Sequence, residues 1–455
     1  MTETTIFAEN ALLPEGFAAN CRITIAGTRI RSVEVGAAPM PGDERVAILI
    51  PGMANLHSHA FQRAMAGLAE IRGPGHDTFW TWRDIMYRVA LALSPEEIEA
   101  VAAQLYAEML EGGFTRVGEF HYLHHHPDGA PYDDVARLAV AVSSAAADSG
   151  IGMTLIPVLY AHSDFGGAEP TAGQRRFIND REGFARLVEA SETAIAALPE
   201  SRLAVAAHSL RAATPEELAF TAALRPDAPF HMHISEQVKE VEDCLAWSGQ
   251  RPLEWLLDHA AVDPRWCLIH ATHMSETETR RLAATGAVAG LCPVTEANLG
   301  DGFFNAPEFV AAGGTLGLGS DSNILVGVAA ELRQLEYAQR LNRRARNVLA
   351  PHGASNGRTI FAAALAGGAR ATGIGTAGLM PGAIADLVSL ATDHPALVGR
   401  SGDRILDAFV FGASSSPIDK VWALGQKRVE GGRHVDGEAI FARFRAATAT
   451  LAERI

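Results

Sequence analysis

The chain has 455 residues, 48% of them hydrophobic and 20% charged, with a formal net charge of −15. This composition supplies a large core, and it excludes a disordered chain and a basic nucleic-acid surface. No apolar run reaches the roughly 18 residues of a membrane span, and the acidic start MTETTIFAENALLPEGF lacks the basic n-region of a secretory signal. Cys21, Cys244, Cys267 and Cys292 form no CxxC pair. They read as buried thiols of a cytoplasmic protein.

In chain order, residues 1–45 hold short alternating stretches (CRITIAG, RIRSVEV) that predict small strands. VAILIPGMANL (46–56) is an apolar strand closing on His57-Ser58-His59. A helix over 94–113 is capped by Ser94, with Pro95 at its first position and Gly112-Gly113 as its stop. FTRVGEFHY (114–122) is the next strand, followed by a helix around 132–149 and the strand GMTLIPVLYA (152–161). Helix 181–198 leads to RLAVAAHSLRA (202–212), and Thr214 with Pro215 opens another helix. PFHMHISEQ (229–237) and WCLIHATH (266–273) are strands. The capped helix SETETRRLAAT precedes the strands AVAGLCPVTEAN (287–298) and GGTLGLGSDS (313–322). IADLVSLA, RILDAFVFG and VWALGQKRVEGG, within 383–431, read as further antiparallel strands.

Eight strands alternating with helices predict an α/β fold, a (β/α)8 TIM-type barrel over 51–379, with functional groups at the C-terminal strand ends. Residues 1–50 and 380–455 bracket it and are expected to pair in one small composite β domain.

The candidate metal ligands lie just past strand-like runs: His57, His59, His233, His270 and Asp321. Residues two apart on a strand share a face, so His57 and His59 point together. Imidazoles with one carboxylate suit Zn²⁺. His233 is preferred to His231 because Glu236 follows it at HxxE spacing; His231 reads as a packed histidine. His270 is preferred to His273 because it is nearer its strand end. Asp321 competes with a simple turn-capping role in Ser-Asp-Ser-Asn. His124-His125-His126, in a Pro/Gly loop, reads as solvated. There is no HExxH helix and no PCxxC of the nucleoside-deaminase type.

The barrel with His57-x-His59, His233, His270 and Asp321 resembles the amidohydrolase superfamily. His233-Ile234-Ser235-Glu236 looks like its mononuclear deaminase branch. Binuclear members use a carbamylated lysine late in the fourth strand, and this chain has no lysine before Lys239. Segments HSHAFQRAMAGLAE (57–70), FWTWRDIMY (79–87), GEFHYLHH (118–125), AHSLRAAT (207–214) and HISEQ (233–237) are similar to the formimidoylglutamate deiminases.

That resemblance implies one Zn²⁺ per chain, with Fe²⁺ as the alternative, held by His57, His59, His233 and Asp321. It implies that Glu236, His270 and Asp321 share the proton movements as hydroxide attacks the formimino carbon and ammonia leaves. It also places Gln62, Tyr122 and His208 around the substrate. Formiminoglutamate carries two carboxylates, and arginine forks bind carboxylates bidentately. Arg83 and Arg211 are placed to do so. The expected partner is a small carboxylated substrate, with neither nucleic acid nor membrane, and the expected assembly a homodimer. The alternatives are a related deaminase acting on a purine, pterin or guanidino acid, and a metal-free binding protein on the same barrel.

Overall fold

Pro51-Gly52 divides the apolar run 46–56 between two sheets. The computed structural model describes residues 3–73 and 75–455. β1 (Glu3–Leu13), β2 (Gly16–Ala26) and β3 (Arg29–Val35) form an antiparallel meander, and β4 (Glu44–Pro51) lies parallel to β1. β5 (Met53–Ser58) then opens a second, parallel sheet. Pro51 has no N–H to donate. The next two amides are drawn to different partners, Gly52 N to Asp386 O at 2.9 Å and Met53 N to Gly113 O at 3.2 Å. The single strand expected over 46–56 is therefore two.

The parallel sheet continues through β6 (Phe114–His121), β7 (Gly152–Leu159), β8 (Arg202–Leu203), β9 (Val205–Ala207), β10 (Phe230–Ile234), β11 (Trp266–His270), β12 (Val288–Leu291) and β13 (Thr315–Leu318). The path runs β13-β12-β11-β10-β9-β7-β6-β5, with β8 beside β7. The ring closes where Ser58 bridges Asp321, with Asp321 N donating to His57 O at 3.0 Å and His59 N to Asp321 O at 3.0 Å. Every residue of β6 and β7 is buried. This is the pattern of a parallel strand with helices on one side and barrel interior on the other. The eight-stave barrel expected from the sequence is present.

Sequence-legible caps start several of the outer helices. Ser94 Oγ accepts from Glu97 N at 3.2 Å, while Ser94 N donates to Glu97 Oε2 at 2.8 Å. Thr214 with Glu217, and Ser275 with Glu278, repeat the reciprocal pair. Helix Asn356–Ala371 lies so close to β13 that a Cβ on Gly367 would overlap the Leu316 carbonyl. The backbone cannot yield there without moving β13, which leads to Asp321. Gly367→Ala is expected to cost about 3 kcal/mol, the upper end of overpacking. Denaturant midpoints measure this, and an unchanged midpoint would show the contact to be slack.

β14 (Leu387–Leu390) pairs antiparallel with β4, and β15 (Ile418–Ala423), β16 (Gln426–Glu430) and β17 (Arg433–His434) extend that sheet. The N- and C-terminal segments thus share one sheet, as expected. Two local expectations are corrected. The β1–β4 pairing is parallel, and RILDAFVF is not a strand but helix Arg404–Phe411. Its buried residues, Ile405, Leu406, Phe409 and Val410, recur at helical spacing. Asp407 also accepts from Ser355 Oγ and Gly357 N, each at 2.8 Å, tying this helix to its neighbour.

Candidate functional site

The ends of three barrel strands bring four side chains together. His57 lies in β5 and His59 just beyond it, His233 lies in β10, and Asp321 follows β13. One donor atom from each lies within 4.8 Å of all the others, and all four residues are buried. His57 Nε2 and His59 Nε2 stand 3.2 and 3.0 Å from Asp321 Oδ1, and His57 Nε2 is 3.1 Å from His233 Nε2. His59 Nδ1 donates to Phe120 O at 3.0 Å and His233 Nδ1 to His208 O at 2.9 Å. With those protons committed, both Nε2 lone pairs turn inward. The His57 ring is instead held edge-on by His59 and Phe120.

The protonation states suit a cation. Burial drives the His57 imidazole down to about 3 and holds His233 well below its ordinary value. Burial also acts to raise the Asp321 carboxyl, but its contacts with His57 and His59 outweigh burial and hold that group well below the usual range. Neutral imidazoles and an ionised carboxylate are the forms that ligate a divalent metal. The donor set fits such an ion. Backbone strain gathers at the same rim: Ser235, His270, Ala271 and Asp321 have φ of +51°, +67°, +49° and +44°, the left-handed region that side-chain-bearing residues rarely adopt.

Above the four side chains opens a cavity whose walls include Gln62, Arg83, Tyr122, His208, Arg211, Glu236 and His270. Every non-ligand residue expected at the site therefore borders one space. Gln62 Nε2 donates to Tyr122 Oη at 3.0 Å. Burial, with Arg211 next in effect, keeps His208 well below its ordinary pKa and therefore neutral. The Arg83 and Arg211 guanidiniums stand over Trp80, 4.4 and 5.6 Å from its ring centre. Arg211 is only 6% exposed, and the Nε atoms of both arginines are buried without a hydrogen-bond partner. Burial disfavours the Arg211 charge and Glu240 and Glu236 favour it, but among the described residues no carboxylate pairs with its fork. It is the arrangement a carboxylated ligand would complete.

Glu236 and His270 face each other, with Oε1 3.7 Å from Nε2. Burial pushes the Glu236 carboxyl up, with His270 pulling the other way. Burial acts to lower His270, but Glu236, Glu296 and Asp321 together raise it. An acid and an imidazole side by side, whose charges depend on each other, can share a proton, pass it to a leaving nitrogen and stabilise developing negative charge.

Several residues at the site escaped the sequence reading. Glu240, fully buried, accepts from Ser235 N and Glu236 N at 3.0 Å each and so fixes the turn that aims Glu236. Its only sequence signal was its place four residues after Glu236. Glu296 reaches His270 Nδ1 at 3.3 Å from a different stave. Tyr160 and Phe177 line the cavity, and Gln174 Nε2 holds Tyr160 Oη at 2.9 Å. The irregular segment 162–180 has no periodicity from which Phe177 or Gln174 could be read.

The expected bystander histidines sort as follows. His231 Nε2 donates to Ala371 O at 2.8 Å, a packed residue as expected, and His273 donates to Asp301 O at 2.8 Å, outside the ligand set. The expectation for the histidine triplet is corrected in part: His126 is exposed, but His125 is half-buried and His124 is 1% exposed, not solvated. His124 Nε2 donates to Val158 O at 3.0 Å and His125 Nε2 to Ile178 O at 2.8 Å, while both backbone amides donate to Arg176 O. These bonds close the loop onto the barrel, which local composition does not reveal.

A barrel with three imidazoles and a carboxylate converging at its C-terminal rim defines a metal-dependent hydrolase class. The amidohydrolase family profile matches residues 48–428, and the chain belongs to that family. A second profile, the N-terminal domain of formimidoylglutamate deiminase HutF, matches residues 3–47. The chain is 50% identical over 438 residues to a formimidoylglutamate deiminase of Pseudomonas aeruginosa, covering 96% of each chain. It is 30% identical to a 5-methylthioadenosine/S-adenosylhomocysteine deaminase of Natronomonas pharaonis, over 78% of this chain and 75% of that one. The crystal structure of an amidohydrolase from Brucella melitensis superposes with a TM-score of 0.96 at 56% identity, covering 99% of this chain and 100% of that one.

Proposed function

We infer that the chain catalyses the hydrolytic deamination of N-formimino-L-glutamate to N-formyl-L-glutamate and ammonia, a step of histidine degradation. The observation that carries this substrate is the pair of guanidiniums, Arg83 and Arg211, whose buried Nε atoms have no hydrogen-bond partner among the described residues, in a cavity beside the ligand cluster. A purine needs no such pair, whereas a dicarboxylate amidine does. The half-identical deiminase from Pseudomonas aeruginosa supports the same choice.

The metal in this reading is one Zn²⁺, with Fe²⁺ the alternative, held by His57, His59, His233 and Asp321. When bound, such an ion supplies Lewis acidity that lowers the pKa of a water in its open position. The rest falls to side chains. Arg211 and Arg83 hold the carboxylates, and Gln62, Tyr122 and His208 supply hydrogen bonds around the substrate. Asp321, ionised at the rim, takes a proton from the attacking water. His270 holds charge as the formimino carbon becomes tetrahedral. Glu236 delivers a proton to the nitrogen that departs. Water adds across the C=N bond, the C–N bond to the terminal nitrogen breaks, and the products are the formamide and NH₃.

A cytoplasmic homodimer completes the proposal. The four free, buried cysteines suit that reducing compartment, and sedimentation velocity reads the assembly. Elemental analysis is expected to find one tightly bound divalent ion per chain, because the chain has no lysine before Lys239 and, among the described residues, none joins the donor cluster; two tightly bound equivalents would overturn this. Ammonia release across formiminoglutamate, formiminoaspartate and guanine tests the substrate, and a preference for guanine would overturn it.

A further inference from the structure

We propose that Glu296 is a positioning residue for this reaction, holding His270 through a carboxylate–imidazole pair. The proposal rests on the deaminase reading above.

His270 ends β11 in the left-handed conformation, at φ +67°. Its two ring nitrogens face different carboxylates: Nε2 faces Glu236 across the cavity, and Nδ1 lies 3.3 Å from Glu296 Oε1. Both partners of that second contact are almost wholly shielded from water, His270 at 1% and Glu296 at 4% exposure. With the Nδ1 proton donated to Glu296, Nε2 is the atom presented to the reacting centre. A carboxylate behind the ring also stabilises the imidazolium as charge develops in front of it.

Glu296 is itself held. Cys292 N donates to the same Oε1 at 2.9 Å, so the oxygen that meets His270 cannot swing away. That contact alone would make Glu296 a capping residue for helix Pro293–Leu299. However, Val294 N in that first turn is already served by Glu331 Oε2 at 3.0 Å, from helix Val328–Arg343. Another acid anchors the turn, and the reach of Glu296 across to β11 is what capping leaves unexplained.

The test is a mutant cycle on the metal-loaded enzyme. Glu296→Gln keeps the acceptor for Cys292 N and removes only the charge. It is expected to lower kcat about 10- to 100-fold, with KM, metal content and melting temperature close to wild type. In a His270→Ala background the same change is expected to alter kcat less than about threefold, since the residue it acts through is gone. A single variant with wild-type kcat, a loss carried by KM, or full multiplication of the two losses would each overturn the proposal. Should the glutamine variant fail to fold, Glu296→Asp replaces it. That change withdraws the carboxylate by one methylene, and the same split between kcat and KM is expected. Wild-type turnover is read first. Failure on formiminoglutamate overturns the substrate reading alone, and the cycle then runs on whichever amidine the wild type deaminates. An enzyme releasing ammonia from none of them overturns both.

Discussion

Glu236→Gln is expected to lower kcat by about 100-fold or more while leaving the bound metal in place. Glu236 stands outside the four-residue donor cluster and faces His270 at 3.7 Å. Its turn is fixed from behind by Glu240, which accepts the Ser235 and Glu236 amides, so glutamine should occupy the same place. The amide keeps the shape and loses the acid. Burial holds the Glu236 proton to higher pH than an exposed carboxyl would, so near neutrality the group can donate. A hundredfold loss corresponds to about 2.7 kcal/mol of transition-state stabilisation, within the ordinary range for a general acid. KM should move little, because the carboxylates are bound elsewhere. Steady-state kinetics with metal analysis on one preparation decides the matter. Loss of the ion would make Glu236 a ligand, and full activity would move the acid to His270 or Asp321.

What the sequence disclosed and what it hid follow from one physical distinction. His57, His59, His233, His270 and Asp321 could be read because each sits at the end of a strand-like run, and barrel geometry sends those ends to one rim. Ser94, Thr214 and Ser275 could be read because a capping box is a local chemical event. Glu296 could not, because its partner His270 is 26 residues away on another stave and only closure of the ring brings the two together. Phe177 enters the cavity, and Gln174 holds Tyr160 there, from an irregular loop where side-chain direction follows no period. RILDAFVF reads as a strand by its apolar residues alone. It folds as a helix because the surface it covers belongs to the barrel's outer helices, where Arg333 Nε donates to Val410 O at 2.6 Å. The break at Pro51-Gly52 was present in the sequence as a missing N–H, but which sheet each half joins is a tertiary fact.

Arg211→Met is expected to lower kcat/KM for formiminoglutamate by about 10- to 100-fold, the equivalent of one charge-assisted pair worth roughly 1.5–3 kcal/mol. Much of the loss should fall on KM, because a carboxylate clamp acts on ground and transition states alike. The metal should stay, since Arg211 lies outside the donor cluster. Arg83→Met should lose less. Arg83 is less deeply buried, stacked over Trp80 and beside Tyr87, and its pair is exchanged partly with solvent. Arg211→Met should also change how a ligand stabilises the protein. Arg211 is 6% exposed and carries a buried Nε with no hydrogen-bond partner; Glu240 and Glu236 favour its charge, but among the described residues no carboxylate pairs with its fork. Removing it should leave the melting temperature close to wild type, because relief of desolvation is opposed by the lost attraction to Glu240 and Glu236, and should abolish the extra stabilisation that a carboxylated ligand gives the wild type. Preference for formiminoglutamate over a neutral amidine of equal length should shrink in parallel. A variant with full kcat/KM, or one that melts lower and still gains stability from the dicarboxylate, would show that the clamp lies elsewhere.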